Sequence, residues 1–313
     1  MFRIFCNLSD VRAESRAVAI GNFDGVHAGH RQLLRRVVSV GRDKGWRPSI
    51  LTFDPHPTSV VAPERAPKLL TTLEARLHMV RNEGIEQAIV LSFDAKFARL
   101  TPERFVSEVL VKGIMARGVF VGENFRFGAK QAGDVDLLTR LGEQYGFSVE
   151  IVPSVFVRGR MVSSSEVRRV VVEGDVSLAC RLLGRPYWVE GSIVPGHGIG
   201  SKQTVPTLNL DTKAEIIPAD GVYITRTTDL KAGRYWQSIT NVGMRPTFDG
   251  QSRTIETFLL SPFEGITPER IRLEFFKRVR GERKFESPKA LKAQILRDVQ
   301  VAQTYFRRFG RLK

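Results

Sequence analysis

The sequence predicts a parallel α/β domain followed by a small antiparallel β-barrel that ends in a helix. Three observations support this fold class. The chain has 313 residues, which exceeds the roughly 250–300 residues that one core usually supports. Residues 1–184 alternate short apolar runs with amphipathic helical stretches, which is typical of βαβ units. Residues 185–313 begin with strand-like pieces that lack a long helical period.

The first domain is predicted to contain five apolar strands separated by helices. The strands are expected at 16–20, 49–53, 88–93, 118–121 and 148–152. Helices are expected at 28–44 (ended by Gly45), from a capping box of Thr71 and Glu74, after Thr101–Pro102, and at 135–145, 164–173 and 176–183. This order predicts a parallel sheet covered by helices.

The second domain is predicted to be a barrel or sandwich of short strands separated by turns. The strand-like pieces are 188–194, 222–227, 237–242, 254–260 and 271–276. Ser287–Pro288 then opens a helix, whose apolar stripe is Leu291, Ile295, Val299, Ala302 and Phe306. The Gly184–Pro186 turn marks the boundary, so we expect domains at 1–184 and 185–313.

The composition restricts the class of protein. With 48 Lys and Arg against 33 Asp and Glu, the net charge is +15, which favours anionic partners without identifying them. The two cysteines, Cys6 and Cys180, exclude a disulfide framework or a Cys-rich zinc site. No apolar run is long enough for a membrane span, and the first ten residues make a poor secretory signal. We therefore expect a soluble cytoplasmic protein.

The strongest motif is GNFDGVHAGH, Gly21 to His30, between the first predicted strand and the first helix. In an open α/β fold this edge of the sheet binds ligands, and the helix N-terminus offers N–H groups to a phosphate. Gly25 and Gly29 allow close backbone approach, and His27 and His30 add imidazole donors. Such positioned donors suit adenylyl transfer, which needs no covalent nucleophile. Ordinary histidines are the alternative, and zinc binding is weaker because no third ligand accompanies them.

Four strings in order resemble the nucleotidyltransferase module of the bacterial bifunctional riboflavin kinase/FAD synthetase family. They are residues 21–30, TFDPHP at 52–57, VGENFRFG at 121–128, and VSSSEVR at 162–168. The resemblance implies a Rossmann-like domain with catalytic His27 and His30. It implies nucleotide binding by Gly21, Phe23, Asp24, Gly25, Gly29, Ser164, Ser165 and Arg168. It implies flavin binding by Asp54, His56, Pro57, Asn124 and Phe127.

Simpler interpretations of these strings stay open. Asp54 to Pro57 could be a structural turn at a strand end. Phe127 could belong to the core. Ser163 and Glu166 match a capping box, so that string also reads as a helix start, with Arg168 one turn further on.

The second domain carries a separate set of motifs. Pro206-Thr-Leu-Asn209 resembles the Pro-Thr-Ala-Asn motif of riboflavin kinases. In a strand Thr207 and Asn209 face the same side, and together with ATP phosphates their oxygens suit Mg²⁺. The glycine-rich segment before them could cover phosphates, with Gly196, Gly198 and Lys202 as candidates. Alone, such a loop is weak evidence.

Three further stretches continue the resemblance. Residues 241–248 (NVGMRPTF) match a family motif, and Glu256 lies in an otherwise apolar strand at the family's catalytic-base position. A lone strand Glu would otherwise be read as an outward-facing residue. The stretch 273–285 resembles a family segment near the flavin entrance, which implies flavin contacts from Arg280 and Glu282.

One departure concerns the glycine-rich flap. Thr204 and Val205 replace the family's Gly-Phe, and Leu208 replaces Ala. The resemblance nevertheless implies that the second domain phosphorylates riboflavin with MgATP and that the first converts FMN to FAD. ATP, riboflavin and FMN are the expected partners. The alternatives are a protein with adenylyltransferase activity alone and, in another class, a nucleic-acid-binding protein suggested by the charge.

Overall fold

A computed structural model of the protein describes residues 2–195, 207–247, 250–261 and 267–309. The chain divides into two compact units, Met1–Ser164 and Ser165–Lys313. The two helices that precede Gly184 thus fall in the second compact unit. The functional boundary expected at Gly184 stays a prediction.

The first unit is built on a six-stranded, fully parallel sheet. Its strands are β1 (Arg3–Phe5), β2 (Arg16–Ile20), β3 (Arg47–Asp54), β4 (Gln87–Ser92), β5 (Ala116–Gly122) and β6 (Ser148–Val152). Their order is β1-β4-β3-β2-β5-β6. The predicted parallel sheet is confirmed. The three-residue β1 is too short for its apolar pattern to have indicated a strand.

Helices cover both faces of this sheet. The helices of this unit are α1 (Ala28–Lys44), α2 (Pro57–Val61), α3 (Leu73–Asn82), α4 (Pro102–Arg104) and α5 (Val135–Tyr145), of which the short α2 has no buried residue. Adjacent residues on a strand face opposite sides, so Ile50 packs with Leu34 of α1 and Leu77 of α3, whereas Leu51 packs with Leu110 and with Leu138 of α5. The first motif therefore lies at the edge of a sheet that is buried on both faces.

Two local predictions need correction. The predicted capping box assigned Thr71 as the cap of α3, but Thr72 caps the helix by accepting from the N–H of Ala75 at 3.2 Å. Thr71 instead binds the carboxylate of Asp24. The helix expected after Pro102 also differs, because after α4 it continues as π-helix over Phe105–Gly113.

A short hairpin follows the sheet, and two helices open the second unit. The hairpin pairs β7 (Phe156–Val157) with β8 (Arg160–Met161). Helices α6 (Ser164–Val172) and α7 (Val176–Leu183) follow, and Ser177 of α7 donates to the carbonyl of Phe276 at 3.1 Å.

The rest of the second unit is a closed six-stranded antiparallel barrel, as predicted. Its strands are β9 (Tyr187–Val194), β10 (Thr207–Asp211), β11 (Gly221–Asp229), β12 (Tyr235–Thr247), β13 (Gly250–Leu259) and β14 (Arg270–Arg280). Their order is β10-β13-β12-β11-β14-β9, and β9 pairs with β10 to complete the ring. Helix α8 (Pro288–Phe309) ends the described chain.

The barrel interior combines apolar side chains with a buried hydroxyl cluster. Tyr223 and Phe275 pack edge to face with ring centroids 5.4 Å apart. The hydroxyl cluster is linked by hydrogen bonds of 2.7–2.8 Å among Thr225, Thr227, Ser238, Thr240 and Thr257, all 0% exposed. Because each hydroxyl both donates and accepts, the cluster satisfies its own polar groups inside the barrel.

Helix α8 packs on the outer face of the barrel. Its Ala302 shares a core with Ile224 and Ile239, against which Val299 and Phe306 also pack. The predicted apolar stripe is only partly confirmed. Leu291 is 40% exposed, and the buried positions near the start of the helix are polar: Gln294 and Asp298.

Candidate active sites

The loop between β2 and α1 has unusual backbone geometry. Phe23, Gly25 and Val26 have φ values of 51°, 76° and 39°. Left-handed geometry is accessible to glycine but strained for a β-branched residue such as Val26. Strain of this kind persists only where surrounding contacts fix it, and it concentrates at functional sites. The first motif therefore adopts a backbone that its neighbours must hold.

Asp24 supplies the strongest of these contacts. Its carboxylate accepts from the N–H groups of Leu70 and Thr71 and from the Thr71 hydroxyl, at 3.0–3.1 Å. The Thr71 hydroxyl oxygen also accepts from the N–H of Gly25 at 3.1 Å. Asp24 is 1% exposed, so its carboxylate anchors the loop. A direct contact of Asp24 with nucleotide stays a prediction.

His27 and His30 meet at the start of α1. His27 is the N-cap, and its Nδ1 accepts from the N–H of His30 at 3.2 Å. The two rings stack with centroids 3.7 Å apart at 14°. Since Nδ1 of His27 accepts a hydrogen bond, the proton of its neutral ring is on Nε2. A Cβ on Gly29 would lie 3.3 Å from the His27 ring, so a larger residue would crowd this pair.

His30 has a pKa well below its ordinary value of 6.5 because burial disfavours the charged ring, with further contributions from His27 and Arg76. Its Nδ1 is buried and has no hydrogen-bond partner among the described residues. Phe23 closes another side, with ring centroids 5.3 Å apart. His30 is therefore a neutral imidazole at neutral pH, with one ring nitrogen unused.

An aromatic cavity of about 660 Å³ opens beside this loop. Gly21 and Asn22 line it on the motif side, and Pro57 and Asn124 also border it. Its walls carry six phenylalanines: Phe53, Phe93, Phe97, Phe105, Phe125 and Phe127. A volume of this size, mostly apolar with a few polar groups, suits a flat aromatic ligand. Three predicted flavin residues, Pro57, Asn124 and Phe127, thus share one cavity with the first motif.

The second motif meets the first through Asn22 and His56. The Asn22 side-chain amide lies 3.0 Å from Nε2 of His56, whose Nδ1 accepts from the N–H of Thr58 at 3.2 Å and so caps α2. Asp54 is exposed at the end of β3, before a cis peptide bond to Pro55. Nothing in the spacing of Asn22 within its motif indicates both contacts, so the sequence alone does not single it out.

The fourth motif string, residues 162–168, also reaches the loop. The Ser164 hydroxyl donates to the carbonyl of Asp24 at 2.9 Å. Ser165 is exposed, and Arg168 lies one turn further along α6. The structure thus brings Ser164 to the loop that holds the imidazole pair.

In the second unit, three polar residues form one row across the barrel. Asn209 of β10 lies directly opposite Glu256 of β13, which lies opposite Asn241 of β12. Residues two apart share a face of a strand, so Thr207 is on the same face as this row. Phe258 shares that face and packs in the core under α8. The row therefore lies on the outer face of the barrel.

Glu282 and Arg280 lie near this row. A Cβ on Gly243 would be 2.5 Å from Oε1 of Glu282 and 3.4 Å from the Asn241 amide nitrogen. The carboxylate of Glu282 thus lies directly over Gly243. Arg280 donates to Asp298 of α8 at 2.8 and 3.0 Å, and Asp298 also accepts from Gln294 at 2.7 Å.

The remaining predictions for this domain fall elsewhere. Gly196, Gly198, Lys202, Thr204 and Val205 lie outside the described residues. Across the described ranges, no group of three or more His, Cys, Asp or Glu side chains is placed to hold a metal ion, so nothing there supports the zinc alternative.

Comparison with known families matches both halves of the chain. The FAD synthetase family matches residues 10–166, and the riboflavin kinase family matches residues 183–306. The first match contains the imidazole pair and the aromatic cavity. The second contains the row of Asn209, Glu256 and Asn241.

A solved structure shares the whole fold. It is titled as a macrolide-efflux protein from Streptococcus pneumoniae, is 27% identical, covers 97% of this chain and 99% of its own, and superposes with a TM-score of 0.86. Within the part of the chain that the structure describes, no helix is both long and apolar enough to cross a membrane.

Two curated relatives carry both activities in their names. Proteins named bifunctional riboflavin kinase/FMN adenylyltransferase from Escherichia coli K12 and Pseudomonas fluorescens are each 34% identical to this chain. The alignments cover 96% of both chains for the first and 95% for the second. With both family matches and this coverage, the chain belongs to the bifunctional riboflavin kinase/FMN adenylyltransferase family.

Proposed function

We propose that this protein makes FAD from riboflavin in two ATP-dependent steps at two separate sites. The barrel phosphorylates riboflavin to FMN and releases ADP. The parallel-sheet unit transfers AMP from a second ATP to FMN and releases pyrophosphate. The observation that carries this proposal is the pairing of two dissimilar sites in one chain: an imidazole pair beside an aromatic cavity, and an amide–carboxylate row on a barrel.

For adenylyl transfer, an FMN phosphate oxygen attacks the α-phosphorus of ATP, and the bond to the pyrophosphate oxygen breaks. Negative charge grows on the non-bridging and leaving oxygens. Nε2–H of His27 and the backbone N–H groups at the start of α1 are the donors for this charge. The neutral ring of His30 stacks on His27 beside these donors. Ser164 and Asp24 hold the loop, and Arg168 and Ser165 are candidates for phosphate contacts.

The aromatic cavity is the proposed site of the isoalloxazine ring. Six phenylalanine rings supply apolar area and ring-edge contacts. Asn124 offers a donor and an acceptor at the cavity wall. Gly21 and Asn22 line the cavity and also belong to the loop that leads to His27 and His30. A flavin bound in the cavity therefore directs its phosphate toward the nucleotide bound at this loop.

For the kinase step, the Glu256 carboxylate accepts the proton of the ribityl 5′-hydroxyl as its oxygen attacks the γ-phosphorus of ATP. Thr207 and Asn209 are the proposed Mg²⁺ ligands, since oxygen ligands and few protein contacts suit this ion. Bound Mg²⁺ would neutralise developing charge on the phosphates. Asn241 beside Glu256 orients the carboxylate, and Arg280 and Glu282 border the flavin.

The test is to incubate the purified protein with riboflavin, ATP and Mg²⁺ and to follow FMN and FAD by chromatography. The proposal expects FMN first and then FAD, with ADP and pyrophosphate as co-products. FAD formed only from supplied FMN would establish the single-activity alternative, which the flap departure at Thr204 and Val205 favours. No FAD from FMN and ATP would contradict the first site.

Glu256→Gln and His27→Asn separate the two steps. The first should remove FMN formation and leave FAD formation from supplied FMN. The second should do the reverse. A location in the cytoplasm, where ATP is available, fits both steps. A salt titration of RNA and DNA binding tests the nucleic-acid alternative, which predicts tight, saturable binding that weakens steeply with salt.

A further inference from the structure

Arg76 is a buried arginine that takes no direct part in the proposed transfer of AMP. It lies in α3, is 1% exposed, and donates from Nη1 to the carbonyl of Asn22 at 2.9 Å. Its Nε is buried and has no hydrogen-bond partner among the described residues. Burying an arginine with an unsatisfied donor costs stability unless nearby groups compensate its charge.

The charged and titratable groups that interact with Arg76 lie in or beside the loop between β2 and α1 that leads to His27 and His30. Burial lowers the pKa of its guanidinium, and Asp24 and Asp54 act in the opposite direction. Asp24 already accepts four hydrogen-bond contacts from Leu70 and Thr71. The positive charge of Arg76 is also felt at His30, whose pKa it lowers.

Asn22 connects Arg76 to both halves of the site. Its backbone carbonyl is held by Arg76, while its side-chain amide lies against Nε2 of His56. Asn22 also borders the aromatic cavity. A displacement of this residue would move the strained loop that leads to His27 and would also release His56.

We propose that Arg76 is a positioning residue for adenylyl transfer: by holding the carbonyl of Asn22 it sets the imidazole pair and the flavin-side His56 in one geometry. This inference rests on the proposed adenylyltransferase function. Arg76 acts through Asn22 and through its charge, and Arg76, Asn22 and His56 together link α3, the β2–α1 loop and the start of α2.

Three variants test the proposal. Arg76→Met removes the charge and the hydrogen bond, and Arg76→Lys keeps the charge but loses the forked geometry. Arg81→Met, at an exposed position of the same helix, is the matched control. Riboflavin kinase activity of the same molecules reports folding of the second unit, and thermal unfolding followed by circular dichroism reports folding of the whole chain.

The expected result for Arg76→Met is a fall in kcat for FAD formation of about 10²-fold, the effect of roughly 1 Å of misplacement. Arg76→Lys should fall less, and Arg81→Met should match the wild type. The groups that face His30 are His27, Arg76 and the Phe23 ring. Losing the cation raises the pKa of His30, so the acid limb of the pH–rate profile should move to higher pH in Arg76→Met but not in Arg76→Lys.

Two outcomes would overturn the inference. One is a wild-type kcat in either folded Arg76 variant, including the case in which Arg76→Met loses activity only because it loses folded protein while Arg76→Lys has a wild-type kcat. The other is an unchanged acid limb in folded Arg76→Met. A wild-type protein that forms no FAD from FMN and ATP would instead contradict the proposed function itself, before any variant is compared.

Discussion

Replacing Gly243 by alanine should impair the kinase step while leaving adenylyl transfer intact. The added Cβ would lie 2.5 Å from Oε1 of Glu282, and ordinary contact begins at 3.4 Å. To reach ordinary contact the carboxylate must therefore retreat by 0.9 Å, the difference between these distances. Gly243 has no positive φ, so alanine is compatible with the backbone.

The size of the effect follows from this displacement. Misplacing a positioning group by about 1 Å can cost about 10²-fold in rate, or roughly 2.7 kcal/mol of transition-state stabilisation. Because the end of the Glu282 side chain can move, we expect the free energy of unfolding to change little. The kinase rate should therefore fall without loss of folded protein.

The assay is FMN formation from riboflavin at saturating MgATP, with FAD formation from supplied FMN as the internal control. Gly233→Ala is a matched substitution at a glycine with open space around its Cβ position, although its φ of 69° adds local strain. A Gly243→Ala protein that phosphorylates riboflavin at the wild-type rate would refute the placement of Glu282 at the site.

Other substitutions test the remaining anchors. Asp24→Asn should lower the free energy of unfolding by about 1–3 kcal/mol, measured by urea denaturation, because its buried carboxylate accepts from backbone and hydroxyl donors; unchanged stability would contradict its anchoring role. Below pH 6.5 the unfolded chain protonates His30 while the folded ring stays neutral. The free energy of unfolding should therefore decrease as the pH is lowered, and it should decrease less in His30→Gln. Identical pH dependence in the two proteins would contradict burial of a neutral ring. Asp298→Asn should weaken riboflavin phosphorylation by releasing Arg280, with FAD formation from FMN unchanged; equal kinase kinetics would exclude that role.

The sequence predicted the elements because their patterns are local. Strand β2 and helix α1 follow directly from apolar periodicity, and the motif between them falls at the edge where ligands bind. Register across the barrel is not local. Nothing in the spacing of Asn209, Asn241 and Glu256 shows that they lie opposite one another, and only the paired strands bring them together.

The errors also have physical causes. Thr71 and Thr72 are both suitable caps, and the choice between them was decided by the distant carboxylate of Asp24, which binds Thr71. Arg76 lies three residues after Leu73 and four before Val80, on the apolar side of α3, but a charged side chain is ordinarily expected at the surface. In α8 the buried position of Asp298 depends on its ion pair with Arg280. In each case a long-range polar contact overrides a local preference.

The hydroxyl cluster inside the barrel has a consequence for the outer surface. Thr240 lies opposite Thr257, and the next pair along is Asn241 and Glu256. A slip of two residues would keep every side chain on its proper face, yet it would separate the threonines and place Glu256, the proposed catalytic base, opposite a different neighbour. Replacing the inner threonines by valine would thus remove the hydrogen bonds that favour this register. The rate of riboflavin phosphorylation would then decrease although the mutated residues do not contact substrate.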